Sequence, residues 1–247
     1  MAVVIIPARL TSSRLPEKVI LDLNGKPVIR HVYDRILQCR EVDALYIATD
    51  HEKVARVARK FTDNVILTEP DHPSGTDRIA EVARTCLSGD PVIVNVQGDE
   101  PFIEPAAIDH LIREMRHNEW EIGTMVHAIR SLEQLSNPNW VKCIWDRQGR
   151  ALYFSRSPIP YLRDLPPDQW MTEEAHFRHV GVYAFRRTTL LKLAELAPSP
   201  LEIQEKLEQL RWLYHGFAIH IVVTEYEPIG IDTPDDLVKA RIQLSGK

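Results

Sequence analysis

The opening stretch of the chain decides the fold, and it reads Val3-Val4-Ile5-Ile6-Pro7-Ala8-Arg9-Leu10-Thr11-Ser12-Ser13-Arg14-Leu15-Pro16-Glu17-Lys18. Its first four residues predict a buried strand, which Pro7 ends because proline offers no donor to a strand ladder. The loop that follows carries three basic and three hydroxyl side chains. A buried strand that delivers such a loop predicts a polyphosphate site, and a solvated surface loop is the alternative.

The loop contains no glycine before Gly25. A Walker A loop and the G-x-G-x-x-G turn of nicotinamide dehydrogenases both need glycines, because their backbones approach the phosphates closely. Side chains rather than backbone amides are therefore expected to bind the anion, and a nicotinamide dehydrogenase is disfavoured.

The distribution of charge points to the same region. The net charge of −5 argues against bulk nucleic-acid binding. Residues 1–60 carry eleven Lys and Arg against seven Asp and Glu, whereas the rest of the chain carries nineteen against twenty-eight. A basic start in an acidic protein suggests a local anion site, although a solvated helix face would give the same pattern.

Length and composition indicate a cytoplasmic protein. A chain of 247 residues can form one large α/β domain or two small ones. No segment approaches the roughly 18 apolar residues of a membrane span, and the first residues lack the features of a signal peptide. The cysteines lie too far apart for a disulfide framework or a metal motif: Cys39, Cys86 and Cys143. We expect a soluble protein without membrane insertion.

Apolar strands alternate with helices over the first half of the chain. The sequence predicts strands over 3–6, 45–50, 65–68 and 91–96, and helices over 27–40, 52–61, 76–85 and 105–117. This alternation predicts an α/β fold with a parallel sheet covered on both faces. Ligands of such sheets bind outside the carboxyl ends of the strands. Polar clusters follow Ile6, Ala48, Leu67 and Val96, so these four loops are expected to meet at one site.

The second half of the chain is richer in strands. Residues 141–145 and 151–154 flank a glycine-containing turn and predict a β-hairpin, and the proline-rich residues 155–168 predict a long loop. The later elements are a strand over 179–185, helices over 188–197 and 201–214, a strand over 218–224, and a last helix capped by Asp232 or Thr233. We expect a single domain over 1–247, with a β-rich excursion at about 140–185.

Two carboxylates are candidates for a metal site. Asp99 follows the strand over 91–96, and Gly98 before it permits a close backbone approach. Mg²⁺ is usually held by one or two such carboxylates together with substrate phosphates. Glu100 is expected to cap the next helix. Asp232, at a strand-to-helix junction, is either a second metal ligand or a helix cap.

A predicted helix N-terminus carries hydroxyls and a glycine, in the segment His72-Pro73-Ser74-Gly75-Thr76-Asp77-Arg78. Free N–H groups and the helix dipole favour anions and nucleobase carbonyls there. The alternative is a simple capped helix, with Ser74 or Thr76 as the cap and Arg78 on the surface. His179 and Tyr183 share one face of a strand, either as ligand-binding or as packed core residues. The ten histidines show no H-E-x-x-H pattern, which argues against a zinc enzyme.

These pieces, in this order, resemble the CMP-KDO synthetases, which are 3-deoxy-manno-octulosonate cytidylyltransferases. The resemblance spans nearly the whole chain and rests on Ile6-Pro7-Ala8-Arg9 with Ser13-Arg14-Leu15-Pro16 and Lys18, Ala48-Thr49-Asp50, His72 with Ser74-Gly75-Thr76-Asp77-Arg78, Val94-Asn95-Val96-Gln97-Gly98-Asp99-Glu100-Pro101, Tyr153-Phe154-Ser155-Arg156, His179-Val180-Gly181-Val182-Tyr183, Leu207-Glu208-Gln209-Leu210-Arg211 and Asp232-Thr233-Pro234-Asp235-Asp236-Leu237. The related sialic-acid cytidylyltransferases typically carry a glycine pair after P-A-R. This chain has Leu10-Thr11 there, which favours the KDO type.

The resemblance implies a fold and a reaction. The fold would be a Rossmann-like, mostly parallel sheet flanked by helices, of the nucleotide-diphospho-sugar transferase type. The anomeric hydroxyl of an eight-carbon acid sugar would attack the α-phosphate of CTP, giving CMP-sugar and pyrophosphate for lipopolysaccharide biosynthesis. The family is Mg²⁺-dependent and homodimeric, and the excursion is the expected dimer interface.

The resemblance also implies roles for individual residues. Catalysis would rest on Arg9, Lys18, Asp99 and Asp232, of which Asp99 and Asp232 would hold Mg²⁺. The nucleotide would be bound by Ala8, Arg9, Ser12, Arg14, Lys18, Ser74, Gly75 and Arg78. The sugar would be surrounded by Gln97, Arg156, Arg163, His179, Tyr183, Glu208 and Gln209. An arginine suits the sugar carboxylate, because its planar fork can bind both oxygens.

Two features depart from the family pattern. The family usually reads Leu-Pro-Gly-Lys-Pro, where this chain has Leu15-Pro16-Glu17-Lys18-Val19, so a required positive φ would strain Glu17. Residues 162–175 follow no family pattern, which leaves the far end of the sugar unassigned. The alternatives are therefore another acid sugar, either 8-amino-KDO or a sialic-acid-like one. A non-catalytic nucleotide- or sugar-binding module is the rival from another class.

Overall fold

The computed structural model describes residues 1–12, 14–172 and 174–246; Ser13, one of the residues that carry the resemblance, lies outside them. The strands are β1 (Ala2–Pro7), β2 (Asp22–Leu23), β3 (Lys26–Pro27), β4 (Ala44–Thr49), β5 (Val65–Leu67), β6 (Val92–Asn95), β7 (Ile122–Ala128), β8 (Lys142–Trp145), β9 (Ala151–Ser155), β10 (Phe177–Arg186) and β11 (His220–Val223). The helices are α1 (Val28–Ile36), α2 (Glu52–Ala58), α3 (Gly75–Cys86), α4 (Pro105–His117), α5 (Leu132–Ser136), α6 (Arg187–Leu193), α7 (Pro200–Glu205), α8 (Gln209–Tyr214) and α9 (Pro234–Ser245).

One nine-stranded sheet organises the described chain. Seven of its strands lie in the order β11-β7-β10-β6-β1-β4-β5, and β8 and β9 join it beside β10. Strand β1 lies parallel to both β4 and β6, β4 lies parallel to β5, and β11 lies parallel to β7. Strand β10 is antiparallel to both of its neighbours, β6 and β7. The predicted α/β fold with a mostly parallel sheet is confirmed, and β10 is its main exception.

Both faces of the sheet are buried, which explains the continuously apolar strands. On β1, Val4 and Ile6 join a hydrophobic cluster with α1 and α4, while Val3 and Ile5 join a second cluster with α3 and α8. All four side chains are fully shielded from solvent. Burial of one such side chain contributes about 1.5–3 kcal/mol, so the opening strand anchors both layers of helices.

The element boundaries test the sequence predictions. Helix α4 has the predicted bounds and begins with a proline, whose missing N–H costs nothing there. Helix α1 ends at Ile36, four residues before the predicted end. The helix predicted over 201–214 is in fact two helices, because Lys206 adopts a left-handed conformation with φ 53° and ends α7. Strand β7 was not predicted from the sequence at all.

The excursion begins with the predicted hairpin of β8 and β9. Strand β8 also pairs with β10, so the hairpin extends the main sheet. The loop predicted over 155–168 runs into a short 3-10 helix, Pro167–Thr172, whose Trp170 packs with Ile129 and Leu135 in a small separate cluster. Among the helices of the described ranges, none has both the length and the apolar character that crossing a bilayer demands.

Candidate active site

A cleft of about 820 Å³ opens at the carboxyl ends of β1 and β6, beside the N-terminus of α3. Its walls come from the loop after β1, the start of α3, the loop after β6 and one residue before α9. The lining residues are Pro7, Arg9, Leu10, Thr11, Ser12, Arg14, Pro16, Glu17, Lys18, Val19, His72, Ser74, Gly75, Arg78, Gln97, Gly98, Asp99 and Asp232. The convergence predicted from the polar clusters is confirmed for the loops after β1, β5 and β6.

The loop after β1 is held at its base and at two apolar points. The Ala8 amide donates to the Ala48 carbonyl at 2.8 Å, which extends the pairing of β1 with β4. Leu15 and Val19 are buried in two different hydrophobic clusters. The described residues between these points that line the cleft are Arg9, Leu10, Thr11, Ser12, Arg14, Pro16, Glu17 and Lys18.

Glu17 sits at the turn between those anchors, with φ 60° and ψ 18°. This is the left-handed region that favours glycine, so the positive φ considered from the sequence is present. The conformation costs a residue with a side chain about 1 kcal/mol. The Glu17 carboxylate does not point at Lys18 but receives the Lys53 ammonium, with both N–O distances at 2.6 Å.

Lys18 lies between two carboxylates at the floor of the cleft. Its ammonium bonds Asp99 directly and donates to the Asp232 Oδ1 at 2.9 Å. Arg14 pairs with the other oxygen of Asp232 at 3.0 Å. Burial alone would lower the pKa of Lys18, but the charges and hydrogen bonds of the two carboxylates outweigh it and raise that pKa above its usual value. Lys18 is therefore a permanent cation here.

Backbone contacts bring the two carboxylates together. The Ile231 amide donates to the Asp99 carbonyl at 2.9 Å, so Asp232 follows directly from a residue tied to Asp99. A side chain at Gly98 would place its Cβ 3.1 Å from the Pro7 carbonyl oxygen. This distance is tighter than most real Cβ contacts, so glycine favours the approach of this loop to the end of β1. Helix α9 is capped by Thr233, which leaves the Asp232 carboxylate free for the cleft.

The two carboxylates suit Mg²⁺. They already share one cation, the Lys18 ammonium, between oxygens that both face the cleft. Within the described ranges, no group of three or more His, Cys, Asp or Glu side chains could hold a metal ion. A site with two carboxylates fits an ion that completes its shell with water and substrate phosphates.

The N-terminus of α3 forms another wall of the cleft. Ser74 caps the helix, accepting from the Asp77 amide, as one of the two expected caps. Hydroxyl groups of Ser74 and Thr76 donate to the two oxygens of Glu208 at 2.8 and 2.7 Å. Burial raises the pKa of Glu208 despite these bonds. The resemblance assigns Glu208 to the sugar, and the structure ties its carboxylate to the start of α3.

Arg78 lines the cleft but is not a surface residue. It is only 3% exposed, and its guanidinium contacts the Thr68 hydroxyl and the Asp50 carboxylate, the latter at 3.0 Å. These partners follow β5 and β4, respectively. Arg78 thus ties the loops after β4 and β5 to α3, which adds a structural role to the predicted nucleotide contact.

Other predicted sugar-binding residues lie on or beside the sheet, and of these Gln97 lines the cleft. The Cβ position of Gly75 lies 3.9 Å from the Gln97 Nε2. Tyr183 is buried, its ring lies 5.1 Å from that of His179, and its hydroxyl has no hydrogen-bond partner among the described residues. Strand β10 has a bulge between Val180 and Tyr183, which adds two residues relative to β7. Because the number added is even, His179 and Tyr183 still lie on the same face of the strand.

His179 is held as a neutral ring. Its Nε2 lies 2.9 Å from the Thr124 hydroxyl. Burial, reinforced by the positive charge of Arg178, lowers the pKa of His179 to about 3. The ring therefore offers hydrogen bonds rather than charge to a ligand at neutral pH.

Gln209, another predicted sugar-binding residue, lies in α8 and is 5% exposed. Of the seven predicted sugar-binding residues, only Gln97 lines the cleft; the six outside its lining are Arg156, Arg163, His179, Tyr183, Glu208 and Gln209. Arg156 donates to the carbonyls of Glu205, Pro138 and Lys206, so it caps the C-terminus of α7. Arg163 is exposed in the excursion.

Comparison with known proteins identifies the family to which this chain belongs. A family model described as cytidylyltransferase matches residues 3–221. This chain belongs to the cytidylyltransferase family.

Named relatives of this chain are also cytidylyltransferases. The chain is 47% identical to a 3-deoxy-manno-octulosonate cytidylyltransferase of Geobacter metallireducens, over 98% of this chain and 96% of the relative. It is 43% identical to the enzyme of the same name from Porphyromonas gingivalis, over 96% and 94% of the two chains. The resemblance found in the sequence is confirmed.

Solved structures agree with the family at the level of the fold. A structure of CMP:2-keto-3-deoxy-manno-octonic acid synthetase complexed with CTP superposes with a TM-score of 0.91, at 40% identity, over 99% of this chain and 98% of that one. A putative glucose-1-phosphate thymidylyltransferase from Bacillus anthracis, at 16% identity and a TM-score of 0.68, shares the fold alone.

Sequence reasoning misjudged one residue beside the cytidylyltransferase cleft. Glu100 does not cap α4, whose N-cap is Glu104. It is buried, it accepts from the Tyr226 hydroxyl at 3.3 Å, and burial beside Asp99 raises the pKa of Glu100 to about 7. A helix that starts at Pro105 requires its cap at residue 104, which could have excluded Glu100. No comparable sequence signal indicates Lys53 as the partner of Glu17 or Tyr226 as the partner of Glu100, because each pair is distant in sequence.

Proposed function

We propose that this protein is a CTP-dependent nucleotidyltransferase that activates KDO, giving CMP-KDO and pyrophosphate. The observation that supports this most strongly is the cleft in which Lys18 joins Asp99 and Asp232. The family and its relatives named 3-deoxy-manno-octulosonate cytidylyltransferase support the same activity. A non-catalytic binding module would not need this pair of carboxylates.

The nucleotide is proposed to lie along the loop after β1 and the start of α3. Arg9, Arg14 and Lys18 are cationic groups on one wall of the cleft, and they match the charge of a triphosphate. Ser12 and Ala8 belong to the same loop. Ser74, Gly75 and Arg78 form the facing wall, where the helix N-terminus favours oxygen atoms of the nucleotide.

The chemistry is one in-line phosphoryl transfer. The oxygen of the anomeric hydroxyl forms a bond to the α-phosphorus of CTP, the bond to the bridging oxygen breaks, and pyrophosphate carries away the displaced electrons. The hydroxyl proton passes to solvent. Positioning and charge neutralisation supply most of the rate in such reactions. Arg9 and Lys18 provide that neutralisation here.

Asp99 and Asp232 are proposed to hold Mg²⁺. When bound, the ion neutralises developing charge on the triphosphate. Lys18 and Arg14 pair with these carboxylates, and with a metal held there these two cations would be available to phosphate oxygens.

The sugar is proposed to occupy the end of the cleft beyond Gln97, against Tyr183, His179, Glu208 and Gln209. The unpartnered Tyr183 hydroxyl and the neutral His179 ring can bond sugar hydroxyls. Arg163 is the cation that remains for the sugar carboxylate, because the donors of Arg156 reach backbone carbonyls. This assignment requires the excursion to approach the cleft.

The protein is further proposed to act in the cytoplasm, as a single domain and a homodimer, in lipopolysaccharide biosynthesis. Leu152 and Tyr161 of the excursion are 58% and 70% exposed, which supports a dimer contact there. Light scattering should give twice the monomer mass of 28.4 kDa. A monomer at micromolar concentration would reject the dimer without affecting the activity.

A sugar panel tests the proposed substrate. Purified protein is incubated with CTP and Mg²⁺ plus KDO, 8-amino-KDO or a sialic acid, and the CMP-sugar product is identified by its mass. We expect the highest kcat/KM with KDO. A clear preference for 8-amino-KDO would move the assignment to that analogue, and no CMP-sugar from any of the three would reject it.

A further inference from the structure

The Glu17 carboxylate occupies an unfavourable place for an enzyme that binds a triphosphate. Glu17 lines the cleft and directly precedes Lys18. Its backbone is held in the left-handed region at φ 60°, which orients the side chain away from Lys18. An anionic side chain this close to the phosphate wall can repel the ligand or compete for the cations that bind it.

Lys53 removes both problems. Its ammonium contacts both oxygens of Glu17 at 2.6 Å. Lys53 is the second residue of α2, and its amide donates to the Nδ1 of the cap residue His51 at 3.0 Å. Glu52, the other charged residue at this helix end, pairs with Arg59 instead. The Lys53 ammonium therefore extends from a fixed helix start and is directed to Glu17.

Two of the three cations in the loop after β1, Arg14 and Lys18, pair with other carboxylates rather than with Glu17. Arg14 and Lys18 bond Asp232 and Asp99, the carboxylates proposed to hold the metal. Without Lys53, the Glu17 carboxylate would have Lys18 and Arg14 as its nearest cationic partners in the same loop. They would then be shared between Glu17 and the triphosphate.

We propose that Lys53 is a positioning residue for nucleotide binding, which acts by holding the Glu17 carboxylate away from the cations of the loop. The proposal rests on the proposed function only in taking CTP as the ligand. It assigns Lys53 no contact with the nucleotide and no part in the chemical step.

A double-mutant cycle tests this role. CTP binding in the presence of Mg²⁺ is measured by titration calorimetry at low ionic strength, where charge effects are largest. We expect Lys53→Met to raise the Kd for CTP about three- to fivefold, the effect of a lost exposed charge pair at its upper end. Lys53→Met/Glu17→Gly should recover to within about twofold of the wild type, because the unpaired carboxylate is then gone. Glu17→Gly alone completes the cycle and should bind CTP about as the wild type does.

Two further variants control the cycle. Lys53→Arg keeps the pairing and should bind CTP nearly as the wild type does. Lys60→Met removes an exposed lysine just beyond the same helix and should leave the Kd unchanged. Thermal melting of each variant separates a binding effect from a loss of the fold. In turnover assays, Lys53→Met should raise the KM for CTP while kcat stays near the wild-type value.

The outcomes separate the inference from the proposed function. If Lys53→Met binds CTP as tightly as the wild type, the positioning role is wrong. If the double variant stays as weak as Lys53→Met, Lys53 acts on the nucleotide itself and the proposal is again wrong. A wild-type protein that binds no CTP would overturn the proposed function and this inference together. Normal wild-type binding with a failed cycle would overturn the inference alone.

Discussion

Lys18 is the cation that pairs with both carboxylates of the site. Its ammonium and the Arg14 guanidinium neutralise Asp99 and Asp232 when no ligand is bound. A divalent ion held by both carboxylates would compete with Lys18 for them. We expect a nucleotide to favour this exchange, because its phosphates accept the displaced ammonium.

Replacement of Lys18 should thus have opposite effects on metal binding and on turnover. In Lys18→Met, Mn²⁺ as a Mg²⁺ substitute should bind more tightly in the absence of CTP, by about tenfold for one removed charge in a half-buried site. Turnover should fall, since the triphosphate loses a cation. Electron paramagnetic resonance of free Mn²⁺ measures the affinity. Weaker Mn²⁺ binding in the variant would contradict the exchange.

Asp99 is the carboxylate whose loss should affect the reaction most. Asp99→Asn preserves the size of the side chain and the backbone bond from Ile231, so the fold should persist. Removal of a charge-stabilising group from such a site costs about 10²-fold or more in kcat. Initial rates of CMP-sugar formation give the loss, and the melting temperature serves as the control. An unchanged rate would exclude Asp99 from the metal role.

At the scale of elements, the excursion depends on a buried lysine. Lys142 of β8 is fully buried, and its ammonium donates to the carbonyls of Asn137, Trp140 and Arg156. These three bonds hold the ends of the hairpin to the segment before it. Burial is the main cause that lowers the pKa of Lys142 below its usual value.

Lys142→Met should therefore destabilise the protein although it is apolar and similar in length. The three carbonyls would lose their donor inside the protein, which costs about 3 kcal/mol in total. Urea unfolding measures the change. The matched control is Lys192→Met, an exposed lysine on α6, which should change stability by less than about 0.5 kcal/mol. Equal effects in the two variants would contradict the role of Lys142.

The elements also show what the sequence could predict. The periodicity of apolar residues, continuous apolar runs and the positions of prolines predicted β1, β4, β6 and α4, because those signals are local. The break between α7 and α8 has no local signal, since Lys206 is not a residue that favours positive φ. Strand β7 was missed because Gly123 interrupts its apolar pattern, and the gap it leaves is filled by Met115 and Leu111 of α4.

At the scale of the whole molecule, the site was predictable because parallel strands end together. The loops after β1 and β6 met as expected, and Asp232 joined them from the end of the chain. The ion partners within the site were not predictable. Pairs such as Glu17 with Lys53 depend on tertiary distances that no sequence spacing encodes.

Global stability should respond to pH through His179. Its pKa falls from 6.5 in the unfolded chain to about 3 in the fold, so only the unfolded chain gains a proton between these values. Stability from the neutral ring is present above pH 6.5 and is lost as the pH falls. Between pH 7 and 5 the loss is about 2 kcal/mol.

Glu100 has the opposite effect, because its raised pKa favours the fold as the pH falls from about 7 toward 4.5. Replacement of His179 separates the two. His179→Gln should lose less stability than the wild type between pH 7 and 5, as measured by urea unfolding at each pH. Parallel pH profiles for the two proteins would contradict the assignment of a buried neutral ring.

The central claim is that this cleft joins CTP to an acid sugar. Its most direct test is continuous measurement of pyrophosphate release by the purified protein, with each component omitted in turn. The account predicts release only when CTP, KDO and Mg²⁺ are all present. Equal release with ATP in place of CTP, or no release with any eight- or nine-carbon acid sugar, would contradict it.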